Sequence, residues 1–206
     1  NKMLQQRTQM DKEALKAVLN GQWGTIGPKS IEGAKQLCSL TGIPFGVTTF
    51  SLTAALEALL RGMYIGYGDE VMVASYSDAA DAMAAAAIGA KPVFADIDPN
   101  TCTLSVDSAK QRWSGNIKAV IADAPGGSFG SLKQLHELCR QKGAKLILNL
   151  QGSFSAALGE ESLAGQADAV AVNLDDNLLC PGVQGGALLT ADEPLFESAF
   201  AFHNCG

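Results

Sequence analysis

Three stretches of this chain are apolar at every position: Val71-Met72-Val73-Ala74, Ala119-Val120-Ile121 and Leu146-Ile147-Leu148. A strand with one wet face alternates apolar and polar residues, so unbroken runs mark strands covered on both faces, as in a mostly parallel sheet held between helices. Further β-rich runs at Gly46-Thr49, Pro92-Asp96, Ala169-Leu174 and Gly186-Thr190 raise the expected sheet to seven strands, with the first three runs extended to Glu70-Ser75, Ile117-Asp123 and Lys145-Leu150. Between them lie helical patterns at Thr53-Arg61, Ala79-Ile88, Val106-Arg112 and Leu132-Lys142, preceded by two at Asp11-Leu19 and Ser30-Leu40. This alternation predicts a three-layer α/β/α fold with a mainly parallel seven-stranded sheet. Ser131 and Gln134 are spaced as a capping box for the helix over Leu132-Lys142.

At 206 residues and 47% hydrophobic, the chain can fill one substantial core. We expect a single domain over residues 1–206, with residues 1–29 as an amino-terminal helix and arm. A net charge of −6 disfavours nucleic acid and anionic lipid as partners. The polar start, Asn1 to Asp11, has no apolar signal core, and the longest apolar run, Ala82 to Ala90, is too short to span a membrane. The expected protein is soluble and cytoplasmic.

Cys38, Cys102, Cys139, Cys180 and Cys205 are scattered with no Cys-x-x-Cys pair, which predicts reduced thiols and no metal site. His136 sits in a helical pattern, at the surface or the edge of the core. Adjacent carboxylates at Asp175-Asp176 would point to opposite faces of a strand, so a solvated loop is the expected reading there. The glycine-rich Pro125-Gly126-Gly127-Ser128-Phe129-Gly130 lacks both the lysine of a P-loop and the dinucleotide spacing, and reads as a turn. Ser153 and Ser155 fit no nucleophile elbow.

Several blocks appear in fixed order: Trp23-Gly24-Thr25-Ile26-Gly27-Pro28, Thr53-Ala54-Ala55-Leu56, Ile65-Gly66-Tyr67-Gly68-Asp69-Glu70-Val71 and Ser75-Tyr76-Ser77. They continue with Gly89-Ala90-Lys91-Pro92-Val93-Phe94-Ala95-Asp96-Ile97-Asp98-Pro99, Ala167-Asp168-Ala169 and Gly185-Gly186-Ala187. In this order and across about nine tenths of the chain, they resemble the DegT/DnrJ/StrS family of pyridoxal-phosphate-dependent sugar aminotransferases, with fold-type I architecture. The resemblance covers the large domain; the family's smaller carboxy-terminal domain is expected to be absent.

The resemblance implies a cofactor lysine, an aspartate on the pyridine nitrogen, an aromatic ring stacked on the cofactor and a phosphate-binding turn. The lysine position falls at about Asn177, and no lysine or arginine occurs after Lys145. The aspartate corresponds to Asn149, which cannot supply the negative charge that keeps the ring nitrogen protonated. The stacking aromatic corresponds to Asp78. The phosphate turn reads Ser51-Leu52-Thr53, where leucine is expected to crowd a phosphate. Asp168 matches a different family aspartate, in a turn. These positions are read as vestigial, with no catalytic residue and no cofactor expected.

The implied protein is a catalytically inactive relative with a structural or regulatory role in amino-sugar or polysaccharide biosynthesis. It would form a homodimer, or a heterodimer with an active relative, and could retain a small sugar ligand. The alternative is a divergent enzyme that binds a sugar nucleotide, or pyridoxal phosphate non-covalently.

Overall fold

The structure is a computed structural model and describes residues 12–21, 26–152, 154, 165–174 and 184–204. In chain order the strands are β1 (Phe45–Thr49), β2 (Glu70–Ala74), β3 (Lys91–Ala95), β4 (Ile117–Asp123), β5 (Lys145–Leu150), β6 (Ala169–Asn173) and β7 (Gly186–Thr190). The helices are α1 (residues 12–20), α2 (Pro28–Thr41), α3 (Leu52–Gly62), α4 (Ala79–Ala87), α5 (Val106–Arg112), α6 (Leu132–Lys142) and α7 (Glu193–His203). All seven strands form one sheet in the order β1-β7-β6-β5-β4-β2-β3. Five strands run parallel from β3 to β6, and β7 is antiparallel to both of its neighbours.

The unbroken apolar runs are used as their composition demands. Successive residues of a strand point to opposite faces, and two separate cores result. Met72, Val120, Leu146, Leu148 and Val170 pack on one face with Leu135 of α6 and Ala109 of α5. Val71, Val73, Ala119, Ile121, Ile147 and Ala171 pack on the other with α3, α4 and α7, represented by Leu56, Ala84 and Ala199. Burying each large aliphatic side chain contributes about 1.5–3 kcal/mol. Both cores are needed to hold the sheet in the middle layer.

Two local details differ from expectation. The Ser131 hydroxyl makes no cap to α6; it donates to the Leu104 carbonyl at 3.2 Å, so the capping box does not form. The helix α7 was not expected, yet Asp192 accepts from the Leu195 N–H at 3.1 Å as its N-cap, and Pro194 stands in its first turn. Close packing of α7 on α3 depends on Gly62, where a Cβ would lie 2.9 Å from Ala199.

The remaining turn expectations hold. Pro125–Gly127 is a single 3₁₀ turn. His136, half-buried on α6, lies 3.5 Å from the Asp168 carboxylate. Asp168 accepts from Lys145 Nζ at 3.0 Å and from the Leu146 N–H at 2.8 Å, which pins the turn before β6 to the start of β5. Among the described residues, Cys38, Cys102 and Cys139 are free thiols, and no helix is long and apolar enough to cross a membrane.

Candidate functional site at the strand ends

In an open α/β sheet, the crevice outside the carboxyl ends of the strands forms where successive strands depart in opposite directions. Here that reversal lies between β2, which leads to β3 on one side, and β4 on its other side. Asp78 and Asp81 follow the end of β2, Asp123 ends β4, and Asn149 and Gln151 lie at the end of β5. Asp123 and Asn149 are register partners across β4 and β5. They share strand parity with Ile121 and Ile147, which pack on the α4 side of the sheet. The same parity turns Asp123 and Asn149 toward α4.

Asn149 and Asp81 are both fully buried. The Asn149 Nδ2 donates to Asp81 Oδ1 at 2.8 Å, and its Oδ1 accepts from the Gln151 N–H at 3.0 Å, so both ends of the amide are used within the protein. Gln151 Nε2 donates to Asp78 Oδ2 at 2.8 Å. Asp78 is the N-cap of α4, with Oδ1 accepting from the Ala80 N–H at 2.8 Å. The position expected to have lost a stacking ring has therefore gained a helix-capping role.

Asp81 and Asp123 act on each other electrostatically where the first turn of α4 meets the end of β4. Burial first, then the charge of Asp123, pushes Asp81 well above the usual carboxylate range. Burial also raises Asp123, while Asp81 acts in the opposite direction. Asp81 Oδ2 and Asp123 Oδ1 are buried and meet no hydrogen-bond partner among the described residues. Gln151 Oε1 is a third buried acceptor without a donor among the described residues. The groups that perturb Asp81 and Asp123 include no lysine or arginine. Chemically, the arrangement is acidic and rich in acceptors.

The Ser51-Leu52-Thr53 turn forms the start of α3. Ser51 Oγ caps it by accepting from the Ala54 N–H at 3.2 Å. Leu52 begins the helix with its side chain buried in the core beneath α3. Gly186 of β7 lies so close that an added Cβ would sit 2.5 Å from the Ser51 carbonyl carbon and 2.7 Å from the Leu52 nitrogen.

Asn177, Asp175, Asp176, Ser153, Ser155, Cys180 and Cys205 lie outside the described residues. Among the described residues, no group of three or more His, Cys, Asp or Glu side chains is arranged to hold a metal ion. Sequence reasoning missed Asp81 and Asp123. The available signal was the strand parity shared by Asp123 and Asn149, together with an acid in the first turn of an otherwise alanine-rich helix.

The sequence profile of the DegT/DnrJ/EryC1/StrS aminotransferase family matches residues 5–206. A curated relative, dTDP-4-dehydro-2,3,6-trideoxy-D-glucose 4-aminotransferase of Saccharopolyspora spinosa, is 28% identical over 195 residues, covering 93% of this chain and 51% of its own. Among solved structures, DesI in the presence of its TDP-sugar product superposes with a TM-score of 0.84 at 28% identity, covering 94% of this chain and 49% of DesI. An aminotransferase of the same family from Brucella abortus superposes with a TM-score of 0.80 at 25% identity, covering 98% and 57%. The chain spans about half the length of the curated relative it matches.

Proposed function

Because this chain belongs to the DegT/DnrJ/EryC1/StrS aminotransferase family, we propose that it is a member without aminotransferase catalysis, acting through association with itself or with an active relative. The observation that carries this reading is the placement of the last cation in the sequence. Lys145 is the first residue of β5 and is held by Asp168 at 3.0 Å, with Asp192 at 3.9 Å. Asn149 is four residues further along the strand, about 13 Å away. The segment from Leu146 to Gly206 offers no other lysine for an imine.

The residues at the strand ends do not fit pyridoxal phosphate. The cofactor would supply an electron sink only with a carboxylate on its ring nitrogen and donors on its phosphate. The amide of Asn149 is already spent on Asp81 and Gln151, and Asp78 beside them offers a further acceptor where a phosphate needs donors.

An amphipathic surface supports association. On α1, Leu15, Val18 and Leu19 are exposed at i, i+3 and i+4 spacing, so one apolar stripe has no cover within the described residues. The role proposed for such an assembly lies in amino-sugar or polysaccharide biosynthesis. A second reading, a divergent enzyme that keeps a sugar-nucleotide pocket, draws on DesI, which was solved with its TDP-sugar product.

Borohydride reduction in the presence of pyridoxal phosphate, followed by intact mass, tests the central reading. The expected mass is that of the unmodified chain, and an adduct of the reduced cofactor at a single site would overturn it. Light scattering tests the association and should give a dimer. Isothermal titration with a TDP-sugar separates the second reading, because only a retained sugar pocket produces saturable heat.

A further inference from the structure

The two edges of the sheet are finished differently. At one edge, β3 carries Lys91 and Pro92, a charge and a residue without an N–H, which keep an edge from pairing with foreign strands. At the other, β1 reads Phe45-Gly46-Val47-Thr48-Thr49, with no charge and no proline, and its backbone ladder runs to β7 alone. Among the described residues no other backbone group bonds to Phe45–Thr49. One side of β1 is left with unpaired main-chain donors and acceptors.

That side is the floor of an apolar groove of about 560 Å³, bordered by Phe45, Gly46 and Val47 together. Phe45 stacks on Phe196 of α7 with ring centroids 5.5 Å apart, and Val47 packs in the same α7-side core, whereas Gly46 faces Cys38 of α2. Residues that point to opposite faces of a strand border one cavity only where the strand itself is its floor. Helix α2 is therefore one wall and α7 the other, with the unpaired main chain between them. A second copy would bring its own α2 and α7 to the edge, and those helices would meet these walls before two β1 strands could pair. A lone extended segment meets no such obstacle. Lys35, on the α2 wall, is the one charged side chain in the lining, is exposed, and makes no ion pair among the described residues. In a chain of net charge −6, this local cation favours an anionic partner.

We propose that the outer edge of β1 is a docking site for an extended segment of a partner protein, which adds to the sheet as a further strand and carries an acidic residue for Lys35. Strand addition draws affinity from main-chain hydrogen bonds and selectivity from alternate side chains. Here those side chains fall in turn against α2, beside Ala34 and Cys38, and against α7, beside Phe196 and Phe200. Apolar residues at alternate positions of the segment suit both walls. The site goes beyond self-association, since its occupant is a lone strand. It is also independent of the strand-end site, because β7 and β6 separate β1 from β5.

The probe is a blocked peptide of about six residues, the length of an ordinary strand, with one glutamate followed by alternating valine and threonine. Isothermal titration into the full chain should show saturable binding, and hydrogen exchange should slow at the amides of Phe45–Thr49 that do not face β7. Two further peptides carry N-methyl groups on one or the other alternate set of amides. A strand uses one edge only, so one methylated peptide should lose binding and the other keep it. Lys35→Glu, an exposed change that leaves the fold intact, should weaken binding about fivefold, and a peptide with lysine in place of the glutamate should restore it. Equal binding of both methylated peptides, or binding that leaves exchange at β1 unchanged, overturns the proposal, because the groove would then hold side chains without adding a strand. Absence of saturable binding at roughly 1 mM peptide also overturns it. So does slowed exchange at β1 without peptide that grows with protein concentration alongside a dimer in light scattering, which would make a second copy the occupant. Unchanged affinity for Lys35→Glu overturns the acidic partner residue.

Discussion

Asn149 donates its side-chain amide to the carboxyl of Asp81 at 2.8 Å, and neither residue is reached by water. The bond joins the end of β5 to the first turn of α4, and the charge of Asp123 at the end of β4 acts on Asp81. Three elements that are far apart in the sequence are thus fastened at one point. Its strength depends on pH.

That dependence has a definite sign. Burial and Asp123 raise the folded-state pKa of Asp81 above its unfolded value, so its stabilising contribution is complete below the unfolded value and is lost as pH rises through the folded one. The difference in unfolding free energy between the wild type and Asp81→Asn should therefore move in favour of the variant from about pH 4 upward. Denaturant unfolding at a series of pH values measures it. A difference that is flat with pH would show that Asp81 carries no proton in the fold.

Asp168 provides a second fastening of opposite character. It accepts from Lys145 and from the Leu146 N–H and faces His136 at 3.5 Å. Asp168→Asn removes the charge and leaves at least one of these donors poorly matched, at a cost of about 1–2 kcal/mol. Urea unfolding should show the lower midpoint with an unchanged slope. The loss should shrink in high salt, because Lys145 is partly exposed.

Gly186→Ala tests the contact between β7 and the start of α3. The new methyl would meet backbone atoms of Ser51 and Leu52 at 2.5–2.7 Å, and backbone cannot swing aside as a flexible side chain can. The expected loss is about 2–3 kcal/mol. Limited proteolysis should find new cleavage near Ser51 before any elsewhere, because the displacement begins there.

Burial, reinforced by the charge of Asp168, pushes the Cys139 thiol up to about 12. The reactive thiolate is scarce at ordinary pH. Alkylation of native protein at pH 8 should leave Cys139 unmodified while denatured protein reacts, as peptide mass mapping can show. Rapid labelling of Cys139 in the native state would mean that α6 opens readily from the sheet.

The strands were legible because both of their faces are buried, which removes polar residues from the pattern and leaves runs such as Leu146-Ile147-Leu148. Helix α7 was not, although Asp192 and Pro194 mark its start. Its apolar residues are mostly alanine and phenylalanine, which pack on α3 only once β7 has turned antiparallel. The Ser131 cap failed because a hydroxyl bonds whatever acceptor the fold brings closest, here Leu104. For the candidate site, Asn149 could be singled out along the chain, but its partner could not. Pairing it with Asp81 requires α4 to cover the ends of β4 and β5, and that follows from the order of strands in the sheet.

The strand order also governs when the protein can form. Strand β1 occupies an edge and is hydrogen-bonded only to β7, the last strand described. Nearly the whole described chain must therefore be synthesised before β1 can pair. Until Thr190 clears the ribosome, Phe45–Thr49 is an open edge with apolar neighbours, the kind of surface that chaperones hold and that aggregation exploits. Closure of the sheet is a long-range, late event, and folding should be slow for a domain of this size. Nascent chains ending before β7 should be protease-sensitive throughout α2 and β1, and protection should arise in one step as β7 is added.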